Sequence, residues 1–278
     1  MPSPRSPVLQ IIAGTDGSPR GDFAVHVAHE LAATAGAELV SVCVIPERGN
    51  VPPSVAPRAR ARGGAPSGTA VAEPVPVDVR IGHPSIELVR CAERCGAILL
   101  VIGRRPPAEV GEMMLGPTAD QIVRRSSVPC LVVPTGRWRS EPRFLAAVDG
   151  TERGAAVLAG AARVADLCGG SVRAVTVFVD LPMAGPKSMI DPAVAERVQR
   201  IAHLRKDRGR RRVDAAPGPP VLVRHGDPVD QVLLEASEGI DVIAVGIHRL
   251  GPPDSHLERG IARRILRQAT GAVLTIPL

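Results

Sequence analysis

The segment Ile11-Ile12-Ala13-Gly14-Thr15-Asp16-Gly17-Ser18 returns later in the chain as Leu145-Ala146-Ala147-Val148-Asp149-Gly150-Thr151, an apolar run that closes on Asp-Gly-Ser or Asp-Gly-Thr. Asp16 and Asp149 lie 133 residues apart, and Gly36 and Gly169 keep that spacing. Gly82-His83-Pro84 returns as Gly226-Asp227-Pro228 at 144, and Val101-Ile102-Gly103 returns as Ala244-Val245-Gly246 at 143. Pro134 and Pro277 are also 143 apart. Self-similarity that keeps its order, at 133 and then at 143–144, makes the repeating unit the folding unit. The 278 residues therefore divide into two copies of one domain, 1–137 and 138–278, joined near the polar stretch Thr135–Glu141. The second copy is about ten residues longer between its second and third strands.

Each copy follows one grammar. In the first, the apolar run Val8–Gly14 reads as a strand. A helix follows with Phe23, Val27, Leu31 and Ala35 at i, i+4 spacing, stopped by Gly36, a residue suited to the left-handed turn beyond a helix end. Leu39–Ile45 and Val75–Ile81 read as strands two and three, around a Pro/Arg/Gly-rich connection. Pro84–Cys95 reads as a helix and Ala97–Ile102 as a continuously apolar strand buried on both faces. Thr118–Arg125 is the last helix and Cys130–Val133 the closing strand. Strands alternating with helices give right-handed crossovers and a parallel sheet covered on both sides.

Composition narrows the chemistry. Phe23, Phe144, Phe178 and Trp138 are the only aromatic residues, so no base-stacking surface is expected and specific nucleic-acid recognition is not. The net charge of +6 is concentrated: Arg58–Arg62 carries +3 and Arg205–Arg212 carries +5, leaving −2 for everything else. These two runs occupy the same connection in each copy and read as solvated insertions. Cys43, Cys91, Cys95, Cys130 and Cys168 are odd in number and follow no framework spacing, which reads as a reducing compartment. No apolar run is long enough to span a bilayer and none resembles a leader, so a cytoplasmic protein is expected.

Catalytic constellations are absent from the pattern. His26 and His29 stand at i, i+3 with no cysteine or carboxylate cluster at zinc spacing, so no metal site is expected. Cys91 and Cys95, at i, i+4, read as core packing or a weak redox pair. Ser18 lacks the Gly-x-Ser-x-Gly elbow of a hydrolase nucleophile. The expectation is a protein that is not an enzyme.

In open α/β sheets ligands bind beyond the carboxyl ends of the strands, where the strand order reverses. Asp16 and Gly17 follow strand one and Gly103 follows strand four, with Asp149 and Gly246 as their counterparts. At these residues, at Gly-x-Pro, and at Val-Ile-Gly-Arg-Arg…Leu-Gly-Pro-Thr…Val-Pro-Cys-Leu-Val-Val-Pro, the sequence resembles the universal stress protein family in its tandem form.

The resemblance implies two tandem flavodoxin-like, Rossmann-like α/β domains of the adenine-nucleotide-hydrolase type. Each would be a five-stranded parallel sheet of order 3-2-1-4-5 with helices on both faces. It implies an intramolecular pseudo-dimer of the two domains through Cys130–Val133 and Ala272–Ile276, a further homodimer, and a regulatory protein partner in stress adaptation. In the nucleotide-binding branch, ATP or a related adenine nucleotide lies in a Gly-x2-Gly-x9-Gly-(Ser/Thr) loop, with the Asp after strand one near the adenosine.

This chain departs from that loop. In the first copy Gly103 and Gly116 keep the first and third glycines, Pro106 replaces the second, Pro117 takes the hydroxyl position, and Thr118 follows with a hydroxyl. In the second copy Gly246 is kept, Arg249 and Arg259 replace the other glycines, and Gly260 takes the hydroxyl position. The candidate site residues are thus Asp16, Gly17, Gly103, Gly116 and Thr118, and Asp149, Gly246 and Gly260. The rival reading is an interaction module that has lost its nucleotide; a weak nucleotide hydrolase is a third.

Overall fold

A computed structural model describes residues 8–47, 49–56, 59–60, 75–104, 115–179, 221–248 and 256–278. The basic run 205–212, and all of 58–62 except the backbone of Ala59 and Arg60, lies outside the described residues.

Local signals set most of the elements. β1 (Gln10–Thr15) leads into α1 (Pro19–Ala35), whose first turn is held by Ser18: the hydroxyl accepts from the Gly21 amide, and Pro19 stands where no donor is needed. Gly36 ends α1 in the left-handed conformation, φ 61°. Then come β2 (Glu38–Ile45), β3 (Ala59–Arg60), β4 (Val77–Ile81), α2 (Pro84–Arg94), β5 (Leu99–Gly103), α3 (Pro117–Arg125) and β6 (Cys130–Val133). The second copy runs β7 (Arg143–Val148), α4 (Glu152–Leu167), β8 (Ser171–Phe178), β9 (Val221–His225), α5 (Pro228–Ser237), β10 (Val242–Ile247), α6 (His256–Gln268) and β11 (Ala272–Pro277). Thr151 caps α4 as Ser18 caps α1, and Asp227 caps α5 through the amides of Val229 and Asp230.

All the strands form one sheet, in the order β3-β4-β2-β1-β5-β6-β11-β10-β7-β8-β9. Apart from the two-residue β3, each copy shows the expected 3-2-1-4-5 order with parallel pairs throughout. The copies meet antiparallel, with Leu131 opposite Leu274 and Val132 opposite Val273. That joint is the pairing expected of Cys130–Val133 with Ala272–Ile276. β3 was not expected: it adds a parallel edge to β4 from within the first basic connection.

Alternation along each strand feeds two cores, one per face. Ile12, Leu100 and Ile102 point to the α2/α3 side, while Ile11, Leu99 and Val101 point to the α1 side. Both cores run unbroken into the second copy, through Ile243, Val245 and Ile265 on one face and Val157, Ala161 and Leu274 on the other. α1 buries Ala24, Val27, Ala28, Leu31 and Ala32, whereas Phe23 and Ala35 are only half-buried. The expected stripe is therefore turned, because alanines let the helix lie close to the sheet and the bulkier Phe23 is left at the flank.

Candidate functional site

β1 and β5 are parallel neighbours, with Gly14 opposite Ile102, so the carboxyl ends of both strands lie at one edge of the sheet. Between them lies a cleft of about 350 Å³. Asp16, Gly103, Gly116 and Thr118 all line it, with Leu88 and Ile122 among its apolar walls. Gly17 is not among its lining residues. Its φ of 73° makes the turn, and its carbonyl accepts from Ser54 Oγ at 2.8 Å.

Asp16 has two tasks. Its Oδ1 accepts from the Ser18 amide at 3.1 Å and from the Ser18 hydroxyl, closing the turn into α1, while Oδ2 pairs with Arg20 at 2.8 Å. Burial raises its pKa, but the Ser18 and Arg20 contacts outweigh that and hold the carboxyl below its ordinary value. The turn role is thus realised, and the same carboxylate borders the cleft.

The two loop glycines differ in their reasons. A Cβ at Gly103 would stand 2.5 Å from the Arg20 carbonyl oxygen, so this glycine lets β5 pass under the start of α1. Above Gly116 none of the described residues comes within 4 Å. Gly116 is the cap of α3, yet it has no side chain to give. The Asp120 amide begins the helical ladder by donating to Gly116 O at 3.0 Å, so the amides of Thr118 and Ala119 have no acceptor within the helix. Pro117 brings no donor.

The second copy has the matching cleft, about 210 Å³, lined by Asp149 and Gly246. Asp149 Oδ1 accepts from the Thr151 amide at 3.0 Å and hydroxyl at 2.6 Å. Arg153, the counterpart of Arg20, faces His248 instead, with Nη1 to Nε2 at 3.4 Å. Gly260 does not line this cleft. The sequence set it at a loop end, but α6 starts four residues earlier, at His256, and Gly260 sits inside the helix, where its amide serves the ladder.

The universal stress protein family model matches residues 8–134 and again residues 142–277. The chain belongs to the universal stress protein family. A universal stress protein from Archaeoglobus fulgidus has the same fold, with a TM-score of 0.65 at 16% identity over 96% of this chain and 98% of that one. A functionally unknown protein from Pseudomonas aeruginosa gives 0.65 at 15% identity, over 97% and 92% of the two chains. Comparison with curated proteins gives no match.

As a universal stress protein, the first copy fits an adenine nucleotide in part. The cleft volume falls within the usual range of small-molecule sites, roughly 300–1,000 Å³. No described residue crowds Gly116, and Thr118 and Ala119, whose amides have no partner in their helix, line the cleft. A polyphosphate finds less, since Pro117 offers no amide and Arg20 is already paired with Asp16. Pro106, Arg249 and the side chain of Arg259 lie outside the described residues. Among the described residues no cluster of His, Cys, Asp and Glu forms a metal-holding group, and no helix is long and apolar enough to cross a membrane.

Sequence reading missed Arg104. It follows Gly103, is fully buried, and reaches across the joint between the copies to α6. An arginine directly after an apolar strand carries no signal of its own, and the residue it meets lies 165 positions away.

Proposed function

We propose that this universal stress protein is a non-enzymatic regulator of stress adaptation in the cytoplasm, and that its first domain holds ATP or a related adenine nucleotide. One observation carries the reading: Asp16, Gly103, Gly116 and Thr118, separate in sequence, line a single cleft at the reversal of strand order. The Thr118 hydroxyl and the amides of Thr118 and Ala119 serve the phosphate nearest the helix, because a helix N-terminus favours negative charge. Leu88, Ile102 and Ile122 supply an apolar wall for the base.

Turnover is not part of this reading. Among the described residues no histidine lines the first cleft, and its carboxylate, Asp16, is held by Ser18 and Arg20 rather than aimed at a substrate. The ligand acts instead by changing which regulatory protein the tandem pair contacts.

Calorimetric titration of the full chain with AMP and with ATP tests the reading, with the nucleotide analysed afterwards. One nucleotide bound per chain and recovered unchanged supports it. No binding of any adenine nucleotide favours an interaction module without a ligand. Hydrolysis lost on a Thr118→Ala substitution makes the protein an enzyme.

A further inference from the structure

The linker between the copies borders a cavity of its own. β6 and β11 meet antiparallel at the joint, and Val133 from the end of one and Ala272 from the start of the other line it. The chain then crosses from Pro134 to Arg139 along the same cavity, about 220 Å³ in volume, with Phe23 of α1 on one side and Asp241 and Thr270 of the second copy on the other. The linker and its neighbours at 240–241 and 270–272 fall within unbroken described stretches. There is one linker, so this cavity is built once per chain.

Two of the four aromatic residues in the chain meet here, Phe23 and Trp138. Both pack against the core of the α1 face and border the cavity. Aromatic walls favour another flat ring, in offset or edge-to-face contact. Charge adds a direction. Arg139 and Asp241 hold each other, Nε to Oδ1 at 3.7 Å, and Asp241 Oδ2 also accepts from the Arg143 amide at 2.8 Å. Arg137 is exposed and makes no ion pair or side-chain hydrogen bond among the described residues. A guanidinium in that state takes a carboxylate through two parallel hydrogen bonds. By scale with the apolar cavity of about 150 Å³ that takes benzene, about 220 Å³ suits roughly nine non-hydrogen atoms.

We infer that the joint between the domains binds an aromatic monocarboxylate of benzoate size, its ring against Trp138 and Phe23 and its carboxylate at Arg137. A ligand in this place touches both copies, so it stabilises their pairing. The site shares no residue with the first cleft and stands independently of the nucleotide reading.

Trp138 is the single tryptophan of the chain, so its fluorescence reports on this cavity alone. The test is a titration of the full chain with sodium benzoate, followed by that emission and by calorimetry. Benzyl alcohol, which lacks the charge, and cyclohexanecarboxylate, which lacks the flat ring, are titrated alongside. Benzoate is expected to bind once per chain, to change the Trp138 emission, and to bind more tightly than either analogue. Arg137→Gln should weaken benzoate about tenfold and leave benzyl alcohol unchanged, as expected for losing hydrogen bonds to a charged group. A melting curve shows that the variant keeps its fold. Absence of benzoate binding, binding that leaves the emission unchanged or survives Arg137→Gln undiminished, equal affinity for cyclohexanecarboxylate, or displacement of benzoate by AMP each overturns the inference.

Discussion

Arg104 Nη2 donates to the carbonyl oxygen of Ala269 at 2.7 Å and to that of Arg267 at 3.4 Å, so a side chain of the first domain closes the end of α6 in the second. The guanidinium meets the negative end of the helix dipole, which favours it. Burial opposes it and lowers its pKa to about 10, and its Nε and Nη1 have no hydrogen-bond partner among the described residues. The counterpart of Arg104 in the second copy is Ile247, so this link is made once, not twice.

Removing that side chain should loosen the joint. Arg104→Ala leaves a cavity and two carbonyls without their donor, and is expected to cost about 2–4 kcal/mol in urea denaturation. Arg104→Met, of similar length and without the buried charge, should cost far less. Equal losses for the two would show that the hydrogen bonds, not the filled volume, hold the joint.

Gly103 and Gly116 should respond oppositely to the same change. Gly103→Ala drives a Cβ against the Arg20 carbonyl and is expected to destabilise by about 1–3 kcal/mol. Gly116→Ala meets no described residue within 4 Å at φ −59° and ψ 154°, an extended conformation natural before proline, and should stay within about 0.5 kcal/mol of the parent. Thermal melts of both variants make the comparison.

The acid limb of stability carries a third prediction. The amide of Asp230 above all, against a smaller effect of burial, and then Arg264 and the amide of Val229 hold the Asp227 carboxyl below its ordinary value. A carboxyl with a depressed folded pKa adds stability above its unfolded pKa of about 3.8, and that stability is lost as pH falls through the folded value. Asp227→Asn keeps a good cap without the charge. Its melting temperature should therefore fall less steeply than that of the parent on acidification. Parallel curves would refute the assignment.

Thiol reactivity should single out one cysteine. Cys95 is exposed, while Cys43, Cys91, Cys130 and Cys168 are buried. Burial raises Cys130 to about 12 and Cys91 and Cys168 each to about 11, so the nucleophilic thiolate is scarce at neutral pH. One fast-reacting thiol is expected with an aromatic disulfide reagent in the native protein, and all five after unfolding. A second fast thiol in the native state would contradict this burial.

Repeat spacing made the fold readable because it doubled every local signal. Asp-Gly-Ser and Asp-Gly-Thr, Gly36 and Gly169, and the two closing strands each appear in both copies, and each takes the place its sequence implies. The placement of the candidate residues was readable where one residue sets the backbone, as at Asp16, Gly103 and Gly116. It was not readable where the outcome depends on the length of an element. Gly260 moved into a helix because α6 begins a turn early, and no residue near it announces that. The stripe of α1 turned for a similar reason, since alanine spacing says little about which face lies closest to the sheet. Arg104 depends on a partner that only the assembled sheet brings near.

The central claim is that one cleft of the pair, the first, holds a nucleotide. Titrating the full chain with AMP, as parent and as Gly116→Val, tests it most directly. Gly116 already has a conformation valine adopts, so the substitution narrows the cleft without straining its backbone. The account predicts one AMP per parent chain and none in Gly116→Val. Two AMP per chain, or binding that survives Gly116→Val, would contradict it.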